Sequence, residues 1–280
     1  MPFARTAADR RTAYAVRGEG PPDLVLMHGW AGSGAYFDET LAHLDATRVR
    51  AVTFDFAGHG NSDASHDEPT LDRLAAETIA VADAVEADAF VLLGFSMSAK
   101  FAQYVACLHP DRVVGLILVA GCPVSEIPLP EEMIADWLRR AGDPRAMMEL
   151  VEPFTTRPVA PLALERFGRD AARVPRAALE GTLRTCLTTA FVERLGSMTM
   201  PTLVVGGLND SIFGPDALRA EVLAALPHAR LALLDCGHEI PLEAPQELAA
   251  IVEAFLAGTA HLRGQAAEAH RERSVGAAAR

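Results

Sequence analysis

The sequence predicts an α/β fold with a mostly parallel central sheet flanked by helices, and three observations predict it. Short apolar runs recur along the chain without polar alternation, as strands covered on both faces do. Longer segments with apolar residues three and four apart separate them, the pattern of amphipathic helices. Half of the 280 residues are hydrophobic, enough for a substantial core. No collagen-like or heptad period runs through the chain, and its hydrophobicity is too high for a disordered one.

The elements follow in order. Residues 24–27 are a strand ending in His28-Gly29-Trp30, and residues 49–56 a second, leading into Asp55-Phe56-Ala57-Gly58-His59-Gly60. A helix over 71–87 places Leu71, Leu74, Ala75, Thr78 and Ile79 on one face. A strand over 90–95, a helix over 98–108 and a strand over 113–120 come next. The rhythm resumes with a strand at 202–205, a helix near 215–225, a strand at 230–234 and a helix over 245–256.

Between 123 and 198 the alternation breaks. This stretch has no convincing strand but four helix starts, marked by Pro130, Pro144, Pro161 and Pro175. Proline suits a first helical turn, where its missing N–H would go unpaired anyway. The segment reads as a helical insertion over the sheet edge, with ordinary sheet-covering helices as the plainer alternative. Residues 259–280 are rich in Ala, Arg and Glu and read as a flexible tail. The expected division is a core of 1–122 and 199–258, a helical cap of 123–198 and a tail of 259–280.

The formal net charge is −12, and Lys100 is the only lysine among 25 basic residues. An acidic balance argues against a nucleic-acid partner and against a polybasic hold on anionic lipid. The acidity belongs to the core, whereas residues 123–198 carry 10 arginines against 11 acidic residues. The sharper expectation from this is that Arg139, Arg140 or Arg184 meets a carboxylate-bearing substrate; the plainer one is paired charges on solvated helix faces. The N-terminus lacks a signal-like apolar core, and no run reaches the 18 apolar residues of a membrane span. The expectation is a cytoplasmic protein, monomer or homodimer, acting on a small molecule with no nucleic-acid or membrane partner. Cys107, Cys122, Cys186 and Cys236 form no CxxC and read as reduced, mostly buried thiols.

The strongest chemical signal is Gly94-Phe95-Ser96-Met97-Ser98, which follows a buried strand and opens a helix. That is the setting of a nucleophile elbow, a tight turn needing small residues two places either side of the serine. Gly94 meets this need; Ser98 stands where a second glycine is usual and would bring an extra hydroxyl near the site. An N-cap is the plainer role for a serine at a helix start. A serine hydroxyl needs a base, and His238, in Cys236-Gly237-His238-Glu239 after the 230–234 strand, is the candidate. The base needs an acid to hold its tautomer, and Asp210 follows the 202–205 strand, with Glu126 in reserve. The order Ser96, Asp210, His238 suits residues beyond the carboxyl ends of parallel strands. An oxyanion would require two preorganised donors: the backbone N–H groups of Trp30 and Met97. No zinc spacing, GxGxxG or P-loop is present, so no metal or cofactor is expected.

With these residues in view, the chain resembles the α/β-hydrolase fold family, in its capped serine-hydrolase branch of esterases and lactonases. His28-Gly29-Trp30, the run from Asp55 to Ser62, Gly94 to Ser98, Asp210 and His238 carry the resemblance, which covers about residues 21–256. It implies a helical cap inserted after the sixth strand. It also implies a structural turn at Gly58-His59-Gly60, with His59 not catalytic, and a His28 that supports the oxyanion loop. Epoxide hydrolases and haloalkane dehalogenases of this fold carry aspartate at the elbow, which Ser96 disfavours. The expected activity is hydrolysis of an ester, lactone or thioester through an acyl-enzyme. C–C bond hydrolysis, cofactor-free perhydrolase or haloperoxidase chemistry, and a non-catalytic binder on this fold remain as alternatives. Trp30, Met133, Trp137 and Phe154 are candidate pocket residues, with Met147, Met148 and Phe167 behind them; at helical spacing these also suit a cap core.

Overall fold

The computed structural model describes residues 1–278 apart from 7–9, 21–22 and 65–66, with side chains described as far as residue 262. Eight strands form one sheet: β1 (Phe3–Arg5), β2 (Arg11–Arg17), β3 (Asp23–Met27), β4 (Arg50–Phe54), β5 (Phe90–Phe95), β6 (Val113–Val119), β7 (Thr202–Gly207) and β8 (Arg230–Leu234). Their order is β1-β2-β4-β3-β5-β6-β7-β8. The pairings of β1 with β2 and of β2 with β4 are antiparallel, and all others are parallel.

Central strands β5 and β6 are buried at every residue, which is why they read as unbroken apolar runs. The chain steps from β3 to β4 on one side and then to β5 on the other, with Met27 opposite Gly94 in the register. The loops leaving β3 and β5 therefore part company at a topological switch point, where open α/β sheets hold ligands.

Helices α1 (Asp38–Ala42) and α10 (Pro245–Ala278) cover one face of the sheet, and α2 (Leu71–Ala84) and α3 (Met97–Leu108) the other. Phe255 of α10 packs against Gly115 of β6, where a Cβ would come within 3.0 Å of its ring. Between β6 and β7 the chain forms α4 (Glu131–Arg139), α5 (Pro144–Val151), α6 (Pro161–Arg173) and α7 (Arg176–Thr188), with no strand among the described residues. Pro144 and Pro161 open α5 and α6, whereas Pro130 and Pro175 sit one place earlier as the capping residues of α4 and α7. Lys100 on α3 joins this segment to the core: its buried ammonium donates to Ser125 O at 2.7 Å and Cys186 O at 2.6 Å.

After β7 come α8 (Pro215–Ala217), which runs on as a wider π turn to Leu223, then β8 and α9 (Ile240–Glu243). The expected tail of 259–280 coincides with the continuation of α10 to Ala278, and Thr259 is buried with its hydroxyl on Phe255 O. Residues 279–280, and the side chains from 263 on, lie outside the described residues. Among the described residues no helix is long and apolar enough to cross a membrane.

Candidate active site

β5 ends in Gly94-Phe95, and the chain turns at Ser96 directly into α3. A Cβ on Gly94 would run into the backbone of Ser98 and Ala99, so only glycine permits this close approach. Ser96 itself adopts φ 53° and ψ −118°, a conformation that costs a non-glycine residue about 1–3 kcal/mol. The surroundings hold it there: its N–H donates to Val119 O at 2.8 Å, and its carbonyl accepts from Ala99 N at 2.9 Å. The turn presents the Ser96 hydroxyl to the cavity instead of capping α3.

Ser98 does not place a hydroxyl in the site. Its side chain is fully buried, accepts from Phe95 N at 2.9 Å, and lies 2.6 Å from Met27 O and 3.0 Å from Phe95 O. It points back into the sheet and joins the ends of β3 and β5. The expectation of an extra hydroxyl near the site is thus corrected: a residue two positions past the elbow faces the strands.

Ser96 Oγ stands 2.8 Å from His238 Nε2, and His238 Nδ1 stands 2.8 Å from Asp210 Oδ2. Asp210 is fixed through its other oxygen, which accepts from Ile212 N at 2.7 Å and Phe213 N at 3.0 Å. Burial works to raise the Asp210 pKa, but the hydrogen bond and charge of His238 and those two amides hold it below the usual range. Burial works to lower the His238 pKa; Asp210, with Glu239 and Glu243 behind it, outweighs burial and raises it. Phe95, Phe213 and Phe154 surround the imidazole, with ring centroids 5.7, 6.1 and 6.5 Å away.

The His238 loop is tied to the helical segment. His238 N donates to Phe154 O at 2.8 Å. Buried Glu243 gathers four more amides: Thr156, Arg157 and Gly237 donate to Oε2 at 2.7, 2.8 and 3.0 Å, and Glu239 to Oε1 at 3.0 Å. Sequence reasoning missed this carboxylate. Its only signal was an acidic residue in an otherwise apolar stretch, Ile240-Pro241-Leu242-Glu243.

Among the described residues, the backbone N–H groups of Trp30 and Met97 donate to no protein acceptor, and both residues line the cavity beside Ser96. His28 supports the Trp30 loop. Its Nε2 accepts from Phe56 N at 3.2 Å, which leaves Nδ1–H to donate to Gly29 O at 2.8 Å. Burial pushes its pKa down to about 4, so the ring stays neutral. His59 lies behind it, buried and pushed down to about 3, in a turn away from the cavity. Glu126 is exposed and does not line the cavity, and the acid on His238 Nδ1 is Asp210.

The cavity has a volume of about 480 Å³ between the sheet's carboxyl edge and the helical segment. Met133, Trp137, Phe154 and Phe167 line it, as does the Trp30 side chain, whose indole N–H donates to Leu179 O at 2.8 Å and whose ring lies 5.7 Å from Trp137. Met147 and Met148 are absent from its lining; Met147 is fully buried within the packed helices and Met148 lies against Gly168. Cys122 and Cys186 meet in its wall with sulfurs 3.9 Å apart.

The arginine expectation is corrected. Arg139 pairs with Asp136 at 2.6 Å, Arg140 with Asp136 at 3.4 Å, and Arg184 with Glu180 at 2.9 Å and Glu131 at 3.1 Å. None of the three lines the large cavity. Pairs three and four residues apart, and a bridge between α4 and α7, keep the Arg139 and Arg184 guanidinium groups on outer faces, while half-buried Arg140 also donates to Ala146 O at 3.4 Å.

Chemically, a hydroxyl hydrogen-bonded to an imidazole can pass it a proton, and a carboxylate at the ring's far nitrogen stabilises the cation formed. Two free amides beside that hydroxyl suit a developing oxyanion.

The family model described as "Alpha/beta hydrolase family" matches residues 24–251. A pimeloyl-[acyl-carrier protein] methyl ester esterase of Stenotrophomonas maltophilia is 31% identical over 261 residues, 87% of this chain and 95% of the relative. The protein of the same name from Nitrosomonas europaea is 29% identical over 253 residues, 84% of this chain and 95% of the relative. Among solved structures, a hydrolase from Pseudomonas aeruginosa is 26% identical with a TM-score of 0.78, covering 91% of this chain and 97% of that one. The enol-lactonase from Burkholderia xenovorans has the same TM-score at 22% identity, covering 91% and 100%, and so shares the fold.

Proposed function

The chain belongs to the alpha/beta hydrolase family and is an ester-cleaving enzyme, and on that premise we propose that it hydrolyses carboxylic esters with an apolar chain through an acyl-enzyme on Ser96. One observation carries this reading: Ser96 Oγ, His238 and Asp210 form a continuous hydrogen-bonded line with both spacings 2.8 Å, opening onto a cavity.

In this mechanism His238 Nε2 takes the Ser96 proton as Oγ attacks the ester carbonyl. The carbonyl oxygen gains a negative charge and accepts from the N–H groups of Trp30 and Met97. Each such donor is worth about 2.7–4 kcal/mol by analogy with measured oxyanion sites. As the intermediate collapses, His238 gives its proton to the departing alcohol oxygen. A water then loses a proton to His238, attacks the acyl carbonyl and releases the acid, returning the proton to Ser96. Asp210 stays ionised throughout and fixes the tautomer with the proton on Nδ1.

The relatives are named for the methyl ester of an acyl chain. A largely apolar wall of Ile127, Leu129, Leu183 and Leu187 supports an acyl chain of that kind here. The segment 123–198 then acts as a cap that shapes the chain-binding side. Ser96→Ala tests the reading: kcat for p-nitrophenyl butyrate should fall by about three orders of magnitude or more. An unchanged rate would overturn it.

A further inference from the structure

Glu239 immediately follows His238 and lines the same cavity, yet the mechanism above gives it no task. It is 5% exposed, and the Tyr36 hydroxyl donates to its Oε2. Tyr36 is itself locked in place, stacked on Phe95 at 5.3 Å and edge-on to Phe167 at 5.6 Å. Among the described residues nothing donates to the other oxygen, Oε1. It is not a sealed, unpartnered atom either, since the carboxyl forms part of the cavity wall. A carboxyl buried to this degree, held through one oxygen in the wall of a largely apolar cavity, calls for a donor to the other.

The neighbouring charges sharpen the point. Glu239 N is taken up by Glu243, and His238 on one side and Glu243 and Asp210 on the other are close enough to act on the Glu239 carboxyl with opposite signs. No arginine or lysine lines the cavity to balance it. A carboxylate on the substrate would therefore meet acidic groups with only the His238 imidazole, already paired with Asp210, to offset them, whereas a hydroxyl or an ammonium N–H would satisfy Oε1.

We propose that the Tyr36–Glu239 pair is a specificity-determining site that selects esters carrying a hydrogen-bond donor, a hydroxyl or a protonated amine, on the part of the molecule that reaches this end of the cavity. The proposal rests on the ester-hydrolase reading of the same cavity, and it names a polar anchor distinct from Ser96 and His238 in a largely apolar wall. Glu239 recognises substrate here and takes no proton in the reaction.

The test compares near-isosteric esters. Methyl 3-hydroxybutyrate against methyl 3-methylbutyrate places the donor on the acyl side, and 2-hydroxyethyl against propyl butyrate on the alcohol side. Protonated 2-(dimethylamino)ethyl against 3-methylbutyl butyrate replaces the hydroxyl with an ammonium N–H. The wild-type protein should favour the donor-bearing member of at least one pair by about five- to tenfold in kcat/KM, the size of one well-made hydrogen bond. Glu239→Leu should bring that ratio to about one, chiefly through KM. Glu239→Gln, which keeps the side chain's size should the leucine variant fold poorly, should abolish the ammonium preference first. The same pairs are measured as Kd on Ser96→Ala protein by calorimetry, so recognition is scored separately from turnover. Loss of all wild-type ester turnover would sink the hydrolase reading while leaving the binding ratios to judge this site. Ratios of one or less in every wild-type pair, or a preference that survives Glu239→Leu, would overturn the proposal.

Discussion

Replacing Glu243 is the perturbation that best separates loop positioning from chemistry, because this carboxylate touches no reacting atom. It receives four backbone N–H groups at 2.7–3.0 Å, two from the segment at Thr156 and Arg157 and two from Gly237 and Glu239 either side of His238. Glu243→Ala leaves those four donors facing a cavity in a region where the residue is 3% exposed. Each unpaired buried donor costs about 1–3 kcal/mol, and local relaxation or entering water recovers part of that. A net loss of about 4–5 kcal/mol is expected, near the upper end for a single substitution. Glu243→Gln keeps one good acceptor for the three amides now on Oε2 but turns its NH₂ toward Glu239 N–H. It should cost about 2–3 kcal/mol, one lost bond plus weaker neutral ones. Urea unfolding followed by tryptophan fluorescence gives both values, and kcat/KM on p-nitrophenyl butyrate follows the His238 loop in protein that remains folded. The ranking Ala worse than Gln, with activity falling in the glutamine variant, is the expected result. An alanine variant within about 1 kcal/mol of wild type would refute the claim that Glu243 clamps the loop.

Three further outcomes follow from the same structure. Because His238 must be neutral to accept the serine proton and its pKa is raised, kcat/KM should climb with pH with a midpoint above the ordinary histidine value of 6.5. Asp210→Asn should drop that midpoint, since burial alone lowers it, and reduce kcat by about 10⁴-fold by analogy with other triads; a midpoint that stays put contradicts the assignment. Ser98→Gly should destabilise the protein by about 1–2 kcal/mol in urea, through the lost acceptor for Phe95 N–H, while kcat stays within about twofold. A large loss of kcat would place that hydroxyl in the chemistry after all. Burial raises the Glu77 pKa to about 7 from 4.5, so the folded state holds a proton that the unfolded state has already released. Stability therefore falls as pH rises from 5 to 8, by up to about 3 kcal/mol for this group. Glu77→Gln should gain on wild type by that amount over the same range, and a pH-independent difference between the two would count against it.

Much of this molecule was legible for plain physical reasons. β5 and β6 are covered on both faces and therefore read as unbroken apolar runs, and the prolines at 130, 144, 161 and 175 mark where helices begin because a helix start spares them an N–H. Ser96, Asp210 and His238 stood out because each follows a recognisable strand. The antiparallel β1 and β2 did not. β1 is three residues long, and β2 is an edge-proximal strand with arginine at both ends and partial exposure, so it carries no continuous apolar signal. The Tyr36–Glu239 pair spans 203 residues and was invisible for that reason. Glu243 and Ser98 were misjudged or passed over because their partners are backbone groups, which leave no trace in side-chain chemistry. The arginines of α4 and α7 looked available only because their acidic partners, three or four residues away or on the facing helix, were counted and not paired.

The central claim is that Ser96 is a nucleophile activated by His238. Peptide-mapping mass spectrometry after brief exposure to a fluorophosphonate tests it most directly. A single phosphonyl adduct on the peptide carrying Ser96 is expected, with labelling slowed by orders of magnitude in His238→Ala protein. An unmodified Ser96 in folded protein, or labelling that is as fast without His238, would contradict it.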